Sequence, residues 1–98
     1  MKLKIRDCEI PERFLRYVDL STGYFAVSFN GVAPREEATE MLRRLKLIAQ
    51  ESAIPYEAVD KNGIESTGIC NLKDLKFGET PANPNMIKFS GRLVHPFT

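Results

Sequence analysis

The sequence predicts an α+β domain in which one long amphipathic helix, about residues 34–52, packs on one face of a mainly antiparallel sheet of four to five strands. Three observations carry this expectation. Apolar and polar residues alternate in several short runs, as half-buried strands require. One longer run switches to a helical period. Asn62-Gly63 lies between two β-rich segments, a strong local hairpin signal.

Residues 2–6 read Lys-Leu-Lys-Ile-Arg, a strand with Leu3 and Ile5 inward and Lys2, Lys4 and Arg6 outward. Ile10-Pro11-Glu12 resembles a helix start, so Glu12 to about Leu20 reads as a short helix carrying Phe14, Leu15 and Val18 inward, with a strand as the alternative. Ser21-Thr22-Gly23 punctuates the chain. Tyr24 to Asn30 then forms a strand with Phe25, Val27 and Phe29 on one face and Tyr24, Ala26 and Ser28 on the other, ended by Asn30-Gly31.

Pro34 followed by Glu36 and Glu37 opens the long helix, and its acids at the start suit the helix dipole. Ala38, Met41, Leu42, Leu45, Ile48 and Ala49 share its apolar stripe, while Glu40 and Arg44 form an i,i+4 pair. Leu47 falls on the opposite side, roughly 180° from Ala38, where an exposed Leu is either ordinary surface or a protein contact. Beyond Ile54-Pro55, Tyr56 to Val59 and Ile64 to Cys70 form the hairpin around Asp60-Lys61-Asn62-Gly63. The chain passes Leu72, Leu75 and Phe77 into a surface connection over residues 78–85, and Met86 to Val94 closes the fold as a strand with Ile87, Phe89 and Leu93 inward.

Length and composition bound the function. Ninety-eight residues suit one domain over 1–98, without a deep interdomain cleft. Apolar residues at 43% and charged residues at 28% disfavour both a disordered and a membrane-spanning chain. A net charge of +1 gives no global field, so any electrostatic function must come from local patterning. Two cysteines, Cys8 and Cys70, suit reduced thiols in the cytoplasm, or in the host-cell interior for a viral chain, and whether they pair is left open. The N-terminal run is charged where a signal peptide needs an apolar core.

Chemistry-bearing constellations are sparse. Cys8, Cys70 and His95 include no closely spaced ligand pair, so no metal and no cofactor is expected. Asp60-x-Asn62-Gly63 has its Gly too early for a calcium loop and reads as a turn. Nucleophile elbows and phosphate-cradling glycine loops are absent from the sequence. Glu36 and Glu37 serve the helix start, and a lone His95 near a chain end is a poor catalytic base.

The pattern that remains is charge segregation on strands. Lys2, Lys4 and Arg6 on the first strand and Lys88 and Arg92 on the last would form one basic surface if those strands were neighbours; otherwise such residues simply keep strands soluble and unpaired. One helix also covers only part of such a sheet, leaving a face for solvent or another chain. The expected function is therefore a non-catalytic protein-interaction or assembly module with a protein partner or a second copy of itself, joined through a sheet face or edge strand. Accessory proteins of viruses and mobile elements belong to this class. The alternative is nucleic-acid binding by the basic strand faces, and a third reading is a small enzyme or ligand carrier using Cys70 or His95. No membrane partner is expected.

Overall fold

The computed structural model describes residues 1–20 and 25–96. Their alternating sequence runs become strands β1 (Lys2–Ile5), β2 (Cys8–Ile10), β3 (Leu15–Asp19) and β4 (Phe25–Pro34), followed by helix α1 (Arg35–Ile48) and strands β5 (Ile54–Val59), β6 (Glu65–Thr80) and β7 (Asn83–Val94). All seven strands join one antiparallel sheet in the order β2-β1-β5-β6-β7-β4-β3. The α+β class holds, but the sheet is larger than the expected four to five strands.

The two additional strands escape a periodic reading for physical reasons. β2 has only three residues, too few to show alternation, and is held by a tight return from β1 in which Arg6 takes φ 58°. The expected short helix after Pro11 is a single 3-10 turn, Glu12–Phe14, and the chain then extends to pair with β4. Phe14, Leu15 and Val18 are nevertheless buried as expected. A bulge between Leu15 and Tyr17 turns Leu15 inward and Tyr17 outward, which strict alternation would not allow.

Asn30-Gly31 does not end β4, which continues to Pro34. Gly31 sits mid-strand because a Cβ there would lie 2.1 Å from the Phe14 carbonyl oxygen and 2.7 Å from the Phe89 ring. Its job is close approach, not a turn. Tyr24 lies outside the described residues, as do the side chains of Phe25 and Ala26.

Helix α1 is shorter than 34–52. It ends at Ile48 with tightened bonds, Gln50 N to Leu47 O at 3.2 Å and Glu51 N to Ile48 O at 3.0 Å, and then Ala53 at φ 54° redirects the chain into Ile54-Pro55. A residue before a proline disfavours helix, which holds Ile54 extended at the start of the next strand. Ala38, Met41, Leu42, Leu45 and Ile48 are buried, whereas Leu47 is exposed. Glu40 pairs with Arg43 at 2.7 Å instead of Arg44, whose guanidinium lies 3.6 Å from the Asp7 carboxylate.

The hairpin at Asp60 forms as expected: Asp60 Oδ1 accepts the Asn62 and Ile64 amides at 2.9 Å each, and Gly63 adopts φ 83°. β6 then changes partner. Residues 65–70 pair with β5 and residues 71–80 with β7, leaving the second half of β6 with no strand on its other side among the described residues. The segment 78–85 is a tight hairpin between β6 and β7, not a long connection, although its tip is exposed. One continuous core joins the inner sheet face to α1, with Leu3, Ile5, Phe29, Leu45, Leu72 and Leu93 each at most 2% exposed. Burial of that apolar surface, and not the exposed ion pairs, is the main stabilising contribution.

Candidate functional site on the outer sheet face

α1 and the core occupy the inner face of the sheet, so the candidate surface is the outer face of β3, β4, β7 and β6. Antiparallel register sets its side chains in rows. One row runs Tyr17, Asn30, Ser90, Lys76; a second runs Asp19, Ser28, Arg92, Lys73; a third runs Val32, Lys88, Gly78. Small residues at Ser28, Ser90 and Gly78 leave the middle of the face low. The result is a trough of about 530 Å³ over Asn30, Ser90 and Gly78, flanked by Lys76 and Lys88. A second depression of about 450 Å³ shares Asn30, Lys76 and Ser90 and extends the trough to Tyr17, Asp74 and Arg92.

The cations come from two neighbouring strands. Lys73, Lys76 and Lys88 are exposed, and among the described residues they make no ion pair. Arg92 is held by Asp74, whose Oδ2 accepts from Nε at 2.7 Å and also from Nη2. Asp74 occupies a bulge between Lys73 and Lys76 and has φ 54°. That bulge is why both lysines share one face although three positions separate them. At the far end Tyr17 donates its hydroxyl proton to Asp19 Oδ2 at 2.7 Å, which fixes the half-exposed ring and raises its pKa.

The sequence-derived basic set is thus split. β1 and β7 are separated by β5 and β6, about 14 Å across three strand spacings, so the condition for a five-residue patch is not met. Lys4 faces Glu9 and Glu57 across its neighbours. Arg6 binds Asp7 at 3.0 Å and also Glu51, and these acids raise its pKa. Lys88 and Arg92 remain on the outer face, joined by Lys73 and Lys76, which sequence periodicity missed because the bulge reverses their phase.

Other residues singled out from the sequence stand apart. Cys8 and Cys70 are both free and buried, with no disulfide between them. Burial pushes the Cys70 thiol up to about 11, so it is protonated at neutral pH. His95 is exposed just beyond β7. Glu37 binds Arg13 at 2.8 Å. Among the described residues no group of three His, Cys, Asp or Glu could hold a metal ion, and no helix is long and apolar enough to cross a membrane.

Chemically, the outer face offers fixed positive charge, small polar groups and one oriented aromatic ring, a combination suited to an extended anion. The chain matches no family model, no curated protein and no solved structure, so this reading rests on the geometry alone.

Proposed function

We propose that the chain is a non-catalytic nucleic-acid-binding module whose working surface is the outer face of β3, β4, β7 and β6. The observation that carries this reading is the placement of Lys76 and Lys88 beside a trough floored by Asn30, Ser90 and Gly78, with Lys73 in the next row of the same face, and without an acid paired to any of the three among the described residues. Phosphate contacts from such cations supply sequence-independent affinity. The two free thiols suit a reducing compartment, the cytoplasm or a host-cell interior.

Fluorescence anisotropy with labelled oligonucleotides tests the proposal. Three to four phosphate contacts predict a slope of log affinity against log salt of about −2 to −3. The double reversal Lys76→Glu/Lys88→Glu is expected to remove binding, whereas Lys2→Glu/Lys4→Glu leaves most of it. Salt-insensitive binding, or equal losses in the two double variants, would overturn it.

Self-association is the second reading, and one feature favours it: residues 71–80 of β6 present, on the side away from β7, a long edge that no strand among the described residues pairs with. The bulge at Asp74 and the exposed Lys73 and Lys76 work against pairing there, as such devices do on other edges. Exposed apolar residues are also scattered over Leu47, Ile64, Ile69 and Phe77. Light scattering over a concentration series separates the readings, because edge pairing predicts a rising mass without added nucleic acid.

A further inference from the structure

We infer that the nucleic acid is single-stranded and that its path leaves the outer face over the unpaired edge of β6, using Phe77 as a base-stacking platform before it reaches the groove beside α1. The inference rests on the proposed nucleic-acid reading and adds to it the ligand's strandedness and the direction it takes.

The path is built from shared walls. Phe77 is 42% exposed and lines both the outer trough and a separate groove of about 340 Å³ between α1 and the β6–β7 ribbon. That groove has an apolar floor at Ala38, Leu42 and Ile87 and cations at Arg35, Arg43 and Lys46. Arg35 and Arg43 are bound by Glu79 and Glu40. Lys46 makes no ion pair among the described residues; its Nζ lies 4.5 Å from the Phe77 ring centroid. On the side away from β7, no strand among the described residues pairs with residues 71–80 of β6, so no paired strand separates the two depressions at this edge.

Cations and aromatics alternate along this route. Tyr17 stands at one end of the row that leads through Asn30 and Ser90 to Lys76, about 14 Å across three strand spacings. Phe77 follows Lys76, and Lys46 follows Phe77. Aromatic rings beside a cationic groove are the means by which single strands are held without sequence preference, each stacked base adding to phosphate contacts. A duplex is stiff over about 150 base pairs and keeps its bases stacked inside, so it can meet the outer lysines but cannot turn sharply over the β6 edge or stack a base on Phe77. The Lys46 ammonium covers one face of the ring, so a base would stack on the other face with this cation close enough to attract its phosphate.

Anisotropy titrations of a twelve-nucleotide single strand, a four-nucleotide single strand and a twelve-base-pair duplex, at one low salt concentration, test the inference. The long single strand is expected to bind at least tenfold more tightly than the duplex. Phe77→Leu, which keeps an apolar side chain, is expected to weaken the long strand roughly five- to hundredfold, the range for one lost stacked base, while Phe77→Trp restores it. The four-nucleotide strand should be much less affected by Phe77→Leu. Thermal melts of the variants establish that they are folded. Duplex binding as tight as the long strand, or no effect of Phe77→Leu, overturns the inference; if Lys76→Glu/Lys88→Glu still abolishes that binding, the nucleic-acid reading stands. Absence of binding to all three probes overturns both.

Discussion

Asp74 holds Arg92 from a left-handed backbone conformation, φ 54°, through one carboxylate oxygen that accepts from both Nε and Nη2. The carboxylate thereby occupies the position on Arg92 that a phosphate oxygen would take on the outer face. Asp74→Asn keeps a side chain that tolerates this conformation, so the bulge between Lys73 and Lys76 should persist. Affinity for a single-stranded oligonucleotide is expected to rise about three- to tenfold, and the salt slope to steepen by about 0.7 for one added phosphate contact. Arg92→Gln in the Asp74→Asn background should cancel the gain. Equal affinity of Asp74→Asn and wild type would show that the pair is only structural.

Glycines separate stability from binding. Gly31→Ala places a methyl group 2.1 Å from the Phe14 carbonyl oxygen and 2.7 Å from the Phe89 ring, so it should destabilise the fold by about 3 kcal/mol or more. A Cβ at Gly78, by contrast, would meet no atom within 4 Å, and this glycine lies on the outer trough. Gly78→Val is therefore expected to leave the urea midpoint unchanged or raise it slightly, since a β-branched residue suits a strand, while it weakens oligonucleotide binding by filling the trough. Chemical denaturation and anisotropy on the same samples check both halves.

The Cys70 thiol gives a pH-dependent stability. Its pKa is raised from 9.0 to about 11 by burial, so the folded state holds the proton more tightly than the unfolded chain. The associated stability, up to roughly 3 kcal/mol, is fully present below pH about 9 and is lost as pH rises through about 11. Urea midpoints at pH 8 and 10.5 should fall further for wild type than for Cys70→Ala. Parallel falls in the two proteins would remove Cys70 as the cause.

What the sequence made legible is local. Lys-Leu-Lys-Ile and the Ile87/Phe89/Leu93 set alternate cleanly, and the corresponding strands form with those apolar residues buried. The α1 stripe and the turn at Asp60 follow from equally short-range patterns. Bulges hid the rest: at Leu15/Tyr17 and Lys73/Lys76 they reverse the phase of alternation, so Tyr17 and Lys76 reach a face that spacing alone would not assign. Gly31 looked like a strand terminator beside Asn30, because its close neighbour, the Phe14 carbonyl, is distant in sequence. Strand order is non-local for the same reason, and it separated Lys2 and Lys4 from Lys88 while bringing Lys73 and Lys76 beside it.

The central claim is that the outer face of β3, β4, β7 and β6 receives the nucleic acid. An amide chemical-shift map of the ¹⁵N-labelled protein, titrated with a twelve-nucleotide single strand, tests it most directly. The largest changes are expected at Asn30, Lys76, Gly78 and Ser90, with small ones at Lys2, Lys4 and Glu57. Changes concentrated on β1 and β5, or none at saturating oligonucleotide, would contradict it.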